Sequence, residues 1–231
     1  MTLAQAHKMR VARPRIVGVI SSPAELATAV ALSRPPDLFE LRLDALYPVL
    51  PEVSRQLVRL GAPLIITARH PAEGGRHQLS DALRREILLH YLPRAAYVDV
   101  ELRAAAPLGD VLGLARARKI ERIISVHELE HAANSKRLEE FARAAEVLTP
   151  SVIKIAARTD AADELKTLDD FFERTKKRAP LSVMGVGKLG RESRLRFARA
   201  GSVLNYAHLG TPTVAGQLSL VELRQALCEA R

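Results

Sequence analysis

Short apolar runs alternate along the chain with longer stretches in which apolar residues recur at helical spacing, and the alternation repeats eight times. The short runs predict strands over residues 16–20, 38–43, 64–68, 96–101, 122–126, 151–155, 181–184 and 202–206. The intervening stretches predict helices over 23–33, 48–60, 80–91, 107–119, 132–148, 162–176, 188–200 and 218–229. Pro23, Pro48 and Pro107 open three of these, where a missing N–H costs nothing, and Ser80 with Asp81 and Asn134 with Ser135 read as caps. Eight βα units at a spacing of roughly 25–30 residues imply a closed parallel (β/α)8 TIM barrel, an α/β single domain over 15–231 behind a basic N-terminal tail at 1–14. An open doubly wound sheet would carry a glycine-rich fingerprint in its first βα turn, and here that turn reads Ile20-Ser-Ser-Pro-Ala24. The segment Met184-Gly-Val-Gly-Lys-Leu-Gly190 lacks Walker A spacing, so its glycines are assigned to the turn after the seventh strand.

Several strands carry polar residues on one parity. Lys154 lies between Ile153 and Ile155 in a run that suits a strand buried on both faces. Such a lysine either lets its head reach water at the strand end, or is desolvated and able to attack a carbonyl carbon. In the second strand Glu40, Arg42 and Asp44 share one face, while Phe39, Leu41 and Leu43 face the helices. Arg69 ends the third strand and could clamp a hydroxyl or carboxylate, ahead of a loop whose Gly74 and Gly75 allow backbone to approach a ligand. Asp99 and Glu101 end the fourth, with ion pairing to Lys154 or Arg42 one role open to them. His127 ends the fifth and is suited to moving a proton near neutral pH. In a barrel His127 and Lys154 stand on neighbouring strands at the rim where chemistry gathers, and this favours the nucleophilic reading of the lysine. Arg194 and the segment Thr211–Gln217 follow strands seven and eight, positions where barrels bind anionic groups.

Composition narrows the class. A chain of 231 residues with 48% hydrophobic content can bury a large single core. The lone cysteine, Cys228, excludes an intramolecular disulfide and fits a reducing cytosol; no signal-peptide core or membrane-length run is found, so a cytoplasmic protein is expected. The formal charge of +9 is spread among acids, and aromatics are only 4%, which argues against nucleic acid and for a small anionic substrate. The other histidines show no metal-ligand spacing.

Taken in order, Glu40-Leu-Arg42-Leu-Asp44, Thr67-Ala-Arg69 with Glu73-Gly-Gly75, Ser125-Val-His127, Lys154 in Val-Ile-Lys-Ile-Ala, Met184-Gly, Ser193-Arg194, and Gly201-Ser202 leading to Gly216-Gln217 resemble the type I 3-dehydroquinate dehydratases, Schiff-base enzymes of the shikimate pathway. The resemblance covers nearly the whole chain after the tail. It implies a homodimeric barrel that dehydrates 3-dehydroquinate to 3-dehydroshikimate with no cofactor and no metal. Lys154 would form the imine, His127 would carry protons, and Glu73 would orient His127. Glu40 and Arg69 would hold ring hydroxyls, and Arg194, Thr213 and Gln217 would surround the carboxylate with Arg42 nearby. The family's terminal loop commonly reads Ser-Ala-Pro-Gly-Gln; here Thr213-Val-Ala-Gly-Gln217 keeps the hydroxyl but not the proline, so a less rigid lid is expected. The hairpin that often plugs the barrel bottom is expected to be reduced or replaced by the tail. Two rival readings are a class I aldolase, which should bind a phosphate dianion, and a catalytically silent barrel binding nucleic acid through its basic surface.

Overall fold

The computed structural model describes residues 14–132 and 134–228, so the basic tail expected at 1–14 falls, apart from its last residue, outside the described residues. Eight strands, β1 (Arg15–Ile20), β2 (Leu38–Arg42), β3 (Leu64–Thr67), β4 (Tyr97–Glu101), β5 (Glu121–Ala132), β6 (Val152–Arg158), β7 (Leu181–Val186) and β8 (Leu204–His208), alternate with helices. These are α1 (Pro23–Ala31), α2 (Leu50–Gln56), α3 (Asp81–Tyr91), α4 (Gly109–Ala117), α5 (Ser135–Val147), α6 (Ala162–Thr175), α7 (Gly190–Ala200) and α8 (Leu220–Cys228). Every paired strand is parallel to its neighbour, in the order β7-β6-β5-β4-β3-β2-β1-β8. The barrel is closed between β7 and β8 partly by side chains. Val203 N donates to Leu181 O at 2.8 Å, Ser182 Oγ to Leu204 O at 2.6 Å, and Val183 N to Ser202 Oγ at 3.2 Å.

Strand parity sorts the core into two shells. Phe39, Leu41, Ile66, Val100, Ile153 and Ile155 point outward against helix residues such as Leu88, Phe171, Phe172 and Phe197. Val17, Ile65, Ile123 and Val152 fill the lower barrel interior. Each such side chain contributes on the order of 1.5–3 kcal/mol by leaving water, which leaves room for charge in the upper interior. At the bottom, Arg15 donates to Tyr97 Oη at 2.8 Å and lies over its ring.

Three elements differ from the sequence expectation in ways that shape the site. β5 does not stop near Val126 but continues to Ala132, pairing with β6 through a bulge between Glu128 and Ala132. Helix α5 correspondingly starts at Ser135 rather than 132, because Asn134 caps it by accepting from Lys136 N and Arg137 N at 2.9 and 3.2 Å. Gly185 belongs to β7, which runs past Met184 to Val186, rather than to the turn after it. Gly185 is required by packing, since a Cβ there would lie 2.5 Å from Ser193 Oγ.

Candidate active site

Lys154 points into the barrel because Ile153 and Ile155 on either side face the helices. It is 4% exposed, and its Nζ donates to Asp99 Oδ2 at 2.9 Å and Glu40 Oε1 at 3.2 Å. The ring of Tyr206 lies beneath it, 4.0 Å from Nζ to centroid. The head therefore does not reach for water, nor does it sit in a purely apolar slot: two carboxylates meet it. Burial works against a charged Asp99, but Arg69 and Lys154 hold its carboxyl well below the usual range. Of the partners offered to the fourth-strand carboxylates, Arg42 is not one. It forms a two-pronged pair with Asp44, Nε to Oδ1 at 2.9 Å and Nη2 to Oδ2 at 2.8 Å. Asp99 takes Lys154 and Arg69, and Glu101 lies between Arg69 and Arg84.

His127 stands one inward rung above Lys154, since Ser125 pairs with Lys154 and His127 with Ala156. Glu73 Oε2 accepts from both the backbone N–H and Nδ1 of His127, each at 2.9 Å. The short turn Pro71–Glu73 that presents this carboxylate is capped by His70, whose Nδ1 accepts from Ala72 N at 3.0 Å, and it ends on left-handed Gly74 (φ 84°). Gly75 serves the loop rather than a ligand: a Cβ there would lie 2.3 Å from Arg69 O. Burial pushes Glu73 up to about 7, with Glu101 adding to the rise and Arg69 opposing it. Burial, followed by the charges of Arg69 and Lys154, holds His127 well below its ordinary value. The imidazole is thus neutral, and the hydrogen-bond network assigns its proton to Nδ1, leaving the Nε2 lone pair free to accept one.

Arg194, on the first turns of α7, is buried, and its Nη1 reaches Met184 Sδ at 3.6 Å while its Nε has no partner. No carboxylate among the described residues meets it, and burial alone lowers it to about 10. Arg69, in contrast, is committed to Asp99, Glu101 and Ser125. Gln217 Oε1 accepts from Thr213 N and Thr213 Oγ1 at 2.8 and 2.9 Å, so these two hold one another. Their loop is pinned on the start of α7. Ala215 O accepts from Gly187 N at 3.3 Å, and Gly216, at φ 83°, packs against Gly190 so closely that a Cβ would lie 2.6 Å from its Cα.

Glu40, Arg42, Arg69, Glu73, His127, Lys154, Arg194, Thr213 and Gln217 all line a single cavity of about 260 Å³ at the C-terminal mouth of the strands, sized for a metabolite. Sequence reasoning did not single out Tyr206, Arg76 or Arg103. Tyr206 had a readable signal, an aromatic with a polar tip on the inward parity of the last strand. Arg76 and Arg103 lie on loops, where no periodicity points to a direction. Among the described residues there is no group of three or more His, Cys, Asp or Glu that could hold a metal, and no helix long and apolar enough to cross a membrane.

A family model described as type I 3-dehydroquinase matches residues 19–230. The 3-dehydroquinate dehydratase of Thermococcus gammatolerans is 32% identical over 216 residues, covering 90% of this chain and 95% of the relative. That of Methanothrix thermoacetophila is 30% identical over 222 residues, covering 95% and 93%. Among solved structures, 3-dehydroquinate dehydratase from Geobacillus kaustophilus superposes with a TM-score of 0.84 at 23% identity, covering 94% of this chain and 90% of that one. The type I enzyme from Clostridium difficile, solved with covalently modified comenic acid, gives 0.81 at 23% identity over 94% and 92%.

Proposed function

The chain belongs to the type I 3-dehydroquinase family and is a lyase of the shikimate pathway, dehydrating 3-dehydroquinate to 3-dehydroshikimate by Schiff-base chemistry; we propose that Lys154 supplies the amine and His127 carries the protons. One observation carries this assignment: Lys154 and the His127–Glu73 pair open into the same cavity from neighbouring strands. The Lys154 ammonium first gives up a proton. Its nitrogen then adds to the C3 carbonyl of the substrate, and His127, which takes that proton, returns it to the carbinolamine oxygen as this leaves as water, giving an iminium that draws electrons from the adjacent C2–H bond. His127 Nε2 takes the C2 proton to give an enamine, whose electrons return as the C1–O bond breaks; the imidazolium delivers its proton to the departing hydroxyl, which leaves as water. Hydrolysis of the imine consumes one water and frees the product and Lys154, so the net change is loss of one water. The iminium carries its positive charge where the ammonium did, opposite Asp99 and Glu40, so its counter-ions are already oriented.

In this reading Arg194, which has no carboxylate of its own, takes the substrate carboxylate, and Thr213 and Gln217 border it with Arg42 close by. Glu40 and Arg69 border the ring hydroxyls, Arg69 also bracing Asp99. Glu73 fixes the His127 tautomer. The protein would work in the cytoplasm as a homodimer, a state that light scattering reads directly. Borohydride added to enzyme and 3-dehydroquinate should fix a reduced adduct on Lys154, located by mass spectrometry. His127→Ala should still form the adduct but turn over roughly 10²–10⁴-fold more slowly. An adduct on another residue, or none during turnover, defeats the assignment.

A further inference from the structure

After β4 the chain turns through a short 3-10 segment, Leu102–Ala104, which carries Arg103. Its Nε lies 3.1 Å from Glu73 Oε1, the oxygen that His127 does not use. The Glu73 carboxylate is thus gripped from both sides, by a guanidinium on one oxygen and an imidazole on the other. Arg103 is half in water, with 52% of its side chain exposed, and such a residue in an ordinary surface pair contributes little. Its partner is not on the surface: the Glu73 side chain is 5% exposed. The charged and titratable groups facing Glu73 are Arg69 from the end of β3, Glu101 from β4, Arg103 from the turn after β4, and His127 from β5. Glu101 and burial favour the protonated carboxyl, while Arg69 and Arg103 favour the carboxylate. Arg69 is already shared with Asp99 and Glu101, so Arg103 is the cation whose ion pair goes to Glu73 itself.

We propose that Arg103 is a positioning residue for proton transfer: it holds Glu73 as a carboxylate, which keeps the His127 proton on Nδ1 and the Nε2 lone pair turned to the substrate. This rests on the assignment of His127 as proton carrier. A protonated Glu73 would offer its own O–H to the imidazole, and the tautomer that can accept the C2 proton would be lost. Activity therefore falls as pH drops through the Glu73 titration, and removing the Arg103 cation moves that fall to higher pH.

The test compares the pH dependence of kcat in the full-length wild type, Arg103→Gln and Arg103→Lys. In Arg103→Gln the acidic limb should move upward, lowering kcat at pH 7 roughly 2- to 5-fold, as a displacement of about half to one pH unit from a midpoint near 7 requires. At pH 9 it should return to within about twofold of wild type, with KM little changed, and Arg103→Lys should restore most of the limb. An equal loss of kcat at every pH would mark a merely structural residue, and an unmoved profile an idle one; either overturns the proposal. Borohydride trapping on the wild type separates the two levels. An adduct on Lys154 with an unmoved Arg103→Gln profile removes Arg103 alone, whereas no adduct removes the reading of the site and this proposal with it.

Discussion

Lys154 Nζ donates to Asp99 Oδ2 at 2.9 Å across the barrel interior, from a strand two places away from β4. The same carboxylate accepts from Arg69 and Ser125, so one buried anion organises a strand-six amine, a strand-three guanidinium and a strand-five hydroxyl. Removing its charge leaves each of two buried cations with one counter-ion fewer.

Asp99→Asn keeps the shape and deletes that charge. Breaking a buried pair by neutralising one partner costs about 3–5 kcal/mol, well above the cost of losing a surface pair. Urea unfolding should register this, and a loss below about 1 kcal/mol would mean that Glu40 and Glu101 suffice as counter-ions.

Arg194→Met should separate stability from binding. The wild-type guanidinium is buried without a carboxylate, so an apolar side chain of similar length should stabilise the free protein by about 1–3 kcal/mol while raising KM on the order of 100-fold. The sign with pH follows from the lowered folded value: in the window that opens at about 10 the unfolded chain still holds a proton that the fold gives up, so this group's contribution to stability rises with pH. The stability gap between Arg194→Met and wild type should therefore narrow at the alkaline end of that window in paired melting curves. A variant that is destabilised with unaltered KM contradicts the role given to this arginine.

Glu73→Gln tests the carboxyl that burial raises to about 7 from 4.5. Within that window the folded protein binds the proton and the unfolded chain releases it, so this group's contribution to stability falls as pH rises from 4.5 to 7. The Tm of the variant relative to wild type should climb across the window and level off above it. A difference that stays flat from pH 4.5 to 8 would show that Glu73 titrates as an ordinary exposed carboxyl.

Gly216→Ala probes how the Thr213–Gln217 loop is held. The new Cβ would lie 2.6 Å from Arg191 N and Gly190 Cα, at a backbone φ of 83° that favours glycine. A penalty of about 1–3 kcal/mol and a displaced loop are expected, with KM raised on the order of tenfold and the fold retained by circular dichroism. An unaltered KM at reduced Tm would remove this loop from the substrate site.

The eight βα units and the inward aim of Glu40, Lys154 and His127 were legible from the chain alone, because strand parity and helical spacing are local and repeat within a few residues. The gathering of Arg194 and Gln217 at the same mouth also followed, since a barrel places every βα loop at one end. Partnership between charges did not follow. That Lys154 rather than Arg42 answers Asp99, that Arg103 reaches Glu73, and that Tyr206 lies beneath the amine depend on which rungs of neighbouring strands meet. The run of β5 to Ala132 was hidden for the same reason: Glu128, Glu130 and His131 read as loop, and only pairing with β6 makes them strand. Local periodicity decides which way a side chain points; register and barrel closure, which sum over distant segments, decide what it finds there.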